Sequence, residues 1–169
     1  AVRNQPFSTL DPVTRRLVLP NGTRLLLTDT VGFIQKLPTS LIASFRATLE
    51  ELEEADVLLH VVDISHPNAG EHVDVVEKIL DDLGIKEIPR ILVFNKIDLI
   101  HRELPSNLLE EDRQLAAFTS TTTKGGFKGL LGMIQSVLDQ RNDFIKQYAK
   151  SVGPNSYTDP RSKLLDLMQ

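Results

Sequence analysis

The sequence predicts an α/β protein: a mostly parallel sheet carrying one antiparallel strand, with helices on both faces. Two runs, Val57-Leu58-Leu59-His60-Val61-Val62 and Ile91-Leu92-Val93-Phe94, are apolar whichever way alternate side chains point, as in strands covered from both sides. Segments of helical period lie between and after them. Asn21-Gly22 separates two further β-rich runs, which marks a hairpin and so one antiparallel strand. Right-handed crossovers wind the remaining strand–helix units into three layers.

In chain order, Arg15 to Pro20 and Thr23 to Thr28 form the hairpin, and the second strand ends at Asp29-Thr30-Val31-Gly32. Asn-Gly readily takes φ > 0 at both turn positions. A helix is expected from about Thr39 or Ser40, just after Pro38, with Leu41, Phe45, Leu49 and Leu52 on its apolar face. Its acids Glu50, Glu51, Glu53 and Glu54 turn mostly to water. The strand from Val57 ends at Asp63, and Val73, Val76, Leu80 and Leu83 then mark a helix that Gly84 can stop. A strand over Arg90 to Phe94 follows, and Leu115 to Thr119 reads as the last strand. Leu130, Leu131, Ile134, Val137, Leu138 and Ile145 line the closing helix. Residues 1–149 make the folded body; residues 150–169, with Gly153-Pro154 and Asp159-Pro160 as breakers, read as a tail with a helical turn at Lys163 to Met168.

The totals exclude several function classes. The 169 residues suffice for one domain with a substantial core. A hydrophobic share of 41% and a charged share of 25% are ordinary for a soluble protein. No apolar run approaches the ~20 residues of a membrane span, and the N-terminal residues do not resemble a signal peptide. Zero cysteines leave no disulfide, thiolate metal site or cysteine nucleophile, which suits a cytoplasmic protein; a monomer is expected. A net charge of −4 argues against a general polyanion surface, so any RNA contact must come from a local basic patch.

Asn95-Lys96-Ile97-Asp98 follows the second buried strand, and N-K-x-D there reads guanine. A carboxylate at Asp98 accepts from guanine's ring N–H and exocyclic amine, whereas adenine turns a lone pair towards the same charge. A buried polar group left unpaired by the wrong ligand discriminates by roughly 10⁴-fold or more. Asn95 would tie neighbouring loops to the base, and the stem of Lys96 can lie across base and ribose. The bland alternative is a polar β-to-α turn with a solvated lysine.

D-x-x-G at Asp29, Thr30, Val31 and Gly32 also ends a strand. An acid there can hold a water of Mg²⁺, and a glycine lets its N–H approach a terminal phosphate; the alternative is a strand-to-helix turn. Between this segment and Asn95 lies room for helix, strand, helix and strand, the connectivity of a G domain. Ser120, Thr121 and Thr122 follow the last strand. They can present a backbone N–H to guanine O6 while Ser120 buttresses Asp98, or else form an N-cap or ST-turn. Phe7, Ser8, Thr9, Leu10 and Asp11, ahead of Pro12, are either a switch whose threonine completes Mg²⁺ coordination or a turn into an edge strand.

Three stretches resemble the HflX-type GTPases: Phe7 to Arg16, Leu27-Thr28-Asp29-Thr30-Val31-Gly32-Phe33-Ile34, and Ser44-Phe45-Arg46-Ala47-Thr48-Leu49-Glu50-Glu51. The likeness runs from about Val2 to the helix near Val137. It implies a P-loop NTPase-like fold of small G protein type and a GTPase that binds GTP and GDP. Thr9 then serves as switch I magnesium ligand, Asp29 to Gly32 as switch II phosphate contact, Asn95 to Asp98 as guanine selector and Ser120 to Thr122 as second base loop. It also implies a cytoplasmic protein on the large ribosomal subunit, touching ribosomal RNA and protein, in ribosome splitting or rescue.

Two departures stand out. G-x-x-x-x-G-K-[ST] occurs nowhere in the chain, and that loop supplies the phosphate cradle. Relatives carry it just upstream of the segment like Ala1 to Phe7, so the chain reads as a piece lacking that loop and the first strand, inactive alone. Thr121-Thr122 also replaces the usual Ala-Lys or Ala-Leu. Phe33 stands where Ras-like enzymes orient water with Gln; a phenyl ring cannot, so slow intrinsic turnover raised by the ribosome is expected. The alternative is a G-like binding module without hydrolysis. A phosphoacceptor domain using Asp63 beside Lys96 has little support, and Asp63 reads better as a turn cap. His60, His66, His72 and His101 lack metal-ligand spacing.

Overall fold

The computed structural model describes residues 13–30, 52, 54–82, 84–85, 88–100 and 115–152. The helix expected from Thr39 or Ser40 lies outside them, as do Phe7 to Asp11, Val31, Gly32 and Phe33. The described elements are β1 (Val13–Val18), β2 (Arg24–Asp29), β3 (Leu58–Asp63), α1 (Ala69–Asp82), β4 (Arg90–Asn95), a 3₁₀ turn (Ile97–Leu99), β5 (Ala116–Phe118) and α2 (Phe127–Val152). The α/β class stands, and α2 carries on past the boundary expected at residue 149.

β1 and β2 pair antiparallel, and β3-β4-β5 form a parallel sheet of three strands. The described hairpin is not laddered onto the parallel sheet; it joins through packing. Leu19, only 2% exposed at the hairpin turn, enters one core cluster with Ile91, Val93, Ala117, Leu130, Ile134 and Val137, and Leu25 packs against it. β4 is central, and its alternation shows on both faces. Ile91 and Val93 face α2, while Leu92 and Phe94 join Val62, Ile64, Ala69 and Val73 on the α1 side. Ile91 and Phe94 are fully buried, each contributing roughly 1.5–3 kcal/mol of transfer free energy.

The hairpin turn differs from expectation. Gly22 has φ 85°, but Asn21 is not in the left-handed region. The Gly22 N–H donates to Leu19 O (2.9 Å) and the Leu19 N–H to Thr23 O (2.8 Å), a three-residue loop closed by a glycine bulge. Pro20 pre-sets φ for the first turn position, and Asn21 Oδ1 accepts the Thr23 N–H at 2.9 Å. Gly84 stops α1 as expected. At φ 75° its N–H donates to Asp81 O (3.0 Å) and that of Ile85 to Leu80 O (2.9 Å), a Schellman wrap with Leu80 and Ile85 both buried. Among the described residues no helix is long and apolar enough to cross a membrane.

Candidate nucleotide-binding corner

Ligands of wound parallel sheets bind beyond the carboxyl ends of the strands, and β3, β4 and β5 end together here. Asp63 and Asn95 are register partners on β3 and β4, and the Ile64 N–H donates to Asn95 O at 3.1 Å. Phe94 and Phe118 stack with ring centroids 5.4 Å apart, holding β4 and β5 at the same height.

The chain leaves β4 through Lys96, whose φ 67° and ψ 34° are left-handed. For a long side chain that conformation costs roughly 1–2 kcal/mol. It turns the backbone into the Ile97–Leu99 helical turn, which carries Asp98. The Ile97 N–H donates to Thr119 O at 3.2 Å, and the Thr119 N–H to Phe94 O at 2.8 Å. Thr119, 1% exposed, also sets its hydroxyl 3.4 Å from Asn95 Oδ1. The N-K-x-D turn and the loop after β5 are therefore one hydrogen-bonded unit.

That loop folds tightly on itself. Ser120 is fully buried; its N–H donates to Gly125 O at 3.1 Å, and its hydroxyl accepts the Thr123 N–H at 3.1 Å. Gly126 has φ 78°, and a Cβ there would sit 1.8 Å from Phe118 O, so only glycine lets the loop return so closely. The amides of Ser120, Thr123 and Gly125 are engaged within the loop, and Thr121 and Thr122 lie exposed beside them.

One atom is out of balance. Asp98 Oδ1 is buried and has no hydrogen-bond partner, an arrangement that costs free energy unless a donor arrives. The buttress expected from Ser120 is not made to that oxygen; the Ser120 hydroxyl serves the local turn instead. Nearby, Lys96 Nζ pairs with Asp63 Oδ2 at 2.5 Å, while Asp63 Oδ1 accepts the Ser65 N–H (3.0 Å) and hydroxyl (2.5 Å). Burial pushes the Asp63 carboxyl up, but the bonds from Lys96 and Ser65 and the ammonium charge together hold it below its ordinary value.

The structure thus ties the Asn95-Lys96-Ile97-Asp98 turn, through Asn95 and Ile97, to Thr119, which leads directly into Ser120, Thr121 and Thr122. Asp29 ends β2 in the other sheet, exposed, with Thr30 just beyond the strand. The turn-cap reading of Asp63 holds, and its ion pair with Lys96 adds to it. Thr119 was not singled out in the sequence, although it directly precedes Ser120 at a strand end. His60 lies against Glu77 (3.4 Å), which also pairs with Arg90.

A wound α/β sheet whose strand ends join an N-K-x-D turn to the loop after the next strand has the arrangement of the guanine-nucleotide-binding class. A family model described as 50S ribosome-binding GTPase matches residues 1–96. A GTPase HflX of Caldanaerobacter subterraneus subsp. tengcongensis is 42% identical over 168 residues, covering 98% of this chain and 38% of that protein. One of Alkalihalophilus pseudofirmus is 58% identical over 95 residues, covering 56% of this chain and 22% of that protein. A GTP-binding protein from Sulfolobus solfataricus, solved with GDP, superposes with TM-score 0.66 at 25% identity, covering 76% of this chain and 45% of that one. The chain belongs to the 50S ribosome-binding GTPase family and is of the HflX type. It spans well under half the length of these curated relatives.

Proposed function

We propose that this chain is the base-reading part of a protein that binds GTP and GDP, hydrolyses GTP with Mg²⁺ and works on the large ribosomal subunit, meeting its RNA and protein. The observation that carries the reading is the buried, partnerless Oδ1 of Asp98, on a turn bonded to the Ser120 loop. Guanine's ring N–H and amine are the donors that this carboxylate lacks. A backbone N–H of the Ser120–Thr122 loop would serve guanine O6.

Mg²⁺ fits the donor chemistry of Asp29 and Thr9. It is a hard cation that takes oxygen, keeps several waters and needs few protein ligands when phosphates supply the rest. Thr9 would add a hydroxyl from the switch segment Phe7 to Asp11, and Gly32 an amide to the terminal phosphate. Hydrolysis belongs to the whole protein, since no residues of this chain form a G-x-x-x-x-G-K-[ST] cradle. A ribosomal role in splitting or rescue rests on the family alone.

The test is competition for fluorescent GDP by the protein expressed from its complete reading frame. GDP should displace the probe and ADP should not, while Asp98→Asn should shift preference towards XDP because an amide donates where the carboxylate accepted. Equal displacement by ADP and GDP would refute guanine reading. Phosphate release should be slow alone, with Phe33 unable to orient water, and faster with purified large subunits. A protein that binds GDP but releases no phosphate in either condition is instead a binding module.

A further inference from the structure

The stem of Lys96 is expected to lie across base and ribose, and in the structure this lysine is held at both ends. Its backbone is fixed in a left-handed conformation between Asn95 and the 3₁₀ turn, and its ammonium sits 2.5 Å from Asp63 Oδ2 at the end of the neighbouring strand. The stem therefore spans from the end of β4 to the end of β3, along the rim where a base must lie. A lysine loses up to about 2 kcal/mol of rotamer freedom when ordered. If one carboxylate has already ordered it, the ligand need not.

Resting on the guanine reading above, we propose that Asp63 is a positioning residue of the nucleotide site. By gripping Lys96 Nζ it stretches the lysine stem into a fixed apolar rail for the face of the base and steadies the backbone turn that aims Asp98. Asp63 touches no nucleotide itself. Its two oxygens divide the work: Oδ1 accepts from the Ser65 N–H and hydroxyl and shapes the turn into Ile64–Asn68, while Oδ2 takes the lysine. The β3–β4 register that puts Asp63 level with Asn95 gives the pair its reach, and the Ile64 N–H to Asn95 O bond locks it.

This division makes two substitutions separable. Asp63→Asn keeps an oxygen for Ser65 and loses the ionic grip. Asp63→Glu keeps the charge for Lys96, and its longer arm spoils the tight Ser65 turn. GDP affinity is measured by fluorescent-nucleotide titration on the protein from its complete reading frame, with thermal melts of each variant. Positioning predicts about fivefold weaker GDP binding for Asp63→Asn at an unchanged melting temperature, with Glu restoring most of the affinity despite a lower melting temperature. A turn role alone predicts the reverse order, Asn normal and Glu impaired, and that result would overturn the proposal. Near-normal affinity in both variants would overturn it too. Asp98→Asn is the parallel control: if it leaves the GDP-over-XDP preference intact, the guanine reading has failed and the proposal falls with it. If that preference moves but Asp63→Asn binds GDP normally, only the proposal is lost.

Discussion

Gly126→Ala tests the loop that forms the second wall of the corner, and Gly22→Ala is its internal control. Both glycines have positive φ, 78° and 85°, so alanine pays a left-handed conformational cost of roughly 1–2 kcal/mol at either place, part of it offset by reduced freedom of the unfolded chain. Their surroundings differ. A Cβ at Gly22 meets nothing within 4 Å, whereas one at Gly126 overlaps Phe118 O at 1.8 Å and Phe118 C at 2.9 Å. The obstacle is backbone, and it cannot swing aside, because Thr119 next to it is bonded to both Phe94 and Ile97. The loop must lift instead, losing the Ser120 N–H to Gly125 O, Leu130 N–H to Gly126 O and Thr123 N–H to Ser120 Oγ bonds. At about 0.5–1.5 kcal/mol each, these add roughly 2–4 kcal/mol to the conformational cost. Urea unfolding should give Gly22→Ala a loss of about 1 kcal/mol and Gly126→Ala about 3 kcal/mol or more. Values within about 0.5 kcal/mol of each other would refute the close approach of loop and strand on which the corner's shape depends.

Asp98→Asn should leave the nucleotide-free protein as stable as before or up to about 1 kcal/mol more stable, because it takes the negative charge off a group whose buried oxygen has no donor; a melting scan without nucleotide checks this. Glu77 is held below its ordinary value of 4.5, first by the hydrogen bond from His60 and then, against burial, by the charge of Arg90. A depressed carboxylate stabilises above its unfolded value and loses that contribution as pH falls through the lower folded value. Glu77→Gln should therefore flatten the acid limb of the stability curve below about pH 4.5 and leave the limb above pH 6 unchanged in slope, as read by urea midpoints. Arg141 ties α2 to the turn before β3, with Nη1 2.8 Å from Asp56 O and Nη2 3.3 Å from Asp56 Oδ1. Arg141→Met should lower stability by about 1–2 kcal/mol in the same assay.

What was legible in the sequence was whatever a local rule governs. Ile91 to Phe94 read as a strand buried on both faces because β4 has an apolar layer on either side. Gly84 read as a helix stop because the left-handed wrap it allows is decided within six residues. The hairpin was legible but its turn was not: Asn-Gly admits a two-residue turn, yet Pro20 starts a three-residue loop in which glycine alone takes positive φ. Contacts between distant residues were legible only in outline: the N-K-x-D turn was expected beside the Ser120 loop, and Asp63 near Lys96 in one alternative, without the bonds that join them. Asp63 and Lys96 meet because two strands share a register, and no spacing of 33 residues announces an ion pair. Thr119 passed for an ordinary strand terminus, although its amide, carbonyl and hydroxyl all serve the corner. Which strands ladder together was equally hidden, and the hairpin joins the parallel sheet through Leu19 and Leu25 rather than through hydrogen bonds.

The strongest case for a ligand comes from where the protein departs from those same rules. Among the described residues, the non-glycine positions with positive φ are Lys96 and Lys124, one in the turn after β4 and the other in the loop after β5. Among those same described residues, Asp98 Oδ1 is one of two buried polar side-chain atoms without a partner, the other being Arg141 Nε far along α2. Elsewhere among the described residues the stop at Gly84, the turn at Gly22 and the two-sided burial of β4 agree with local preference. Backbone strain and an unpaired carboxylate on two adjoining loops carry a cost there that the packing does not offset. Two donors set side by side and reaching Asp98 would relieve it. A planar base with a ring N–H next to an exocyclic amine supplies that pair, and adenine, whose matching ring nitrogen only accepts, does not.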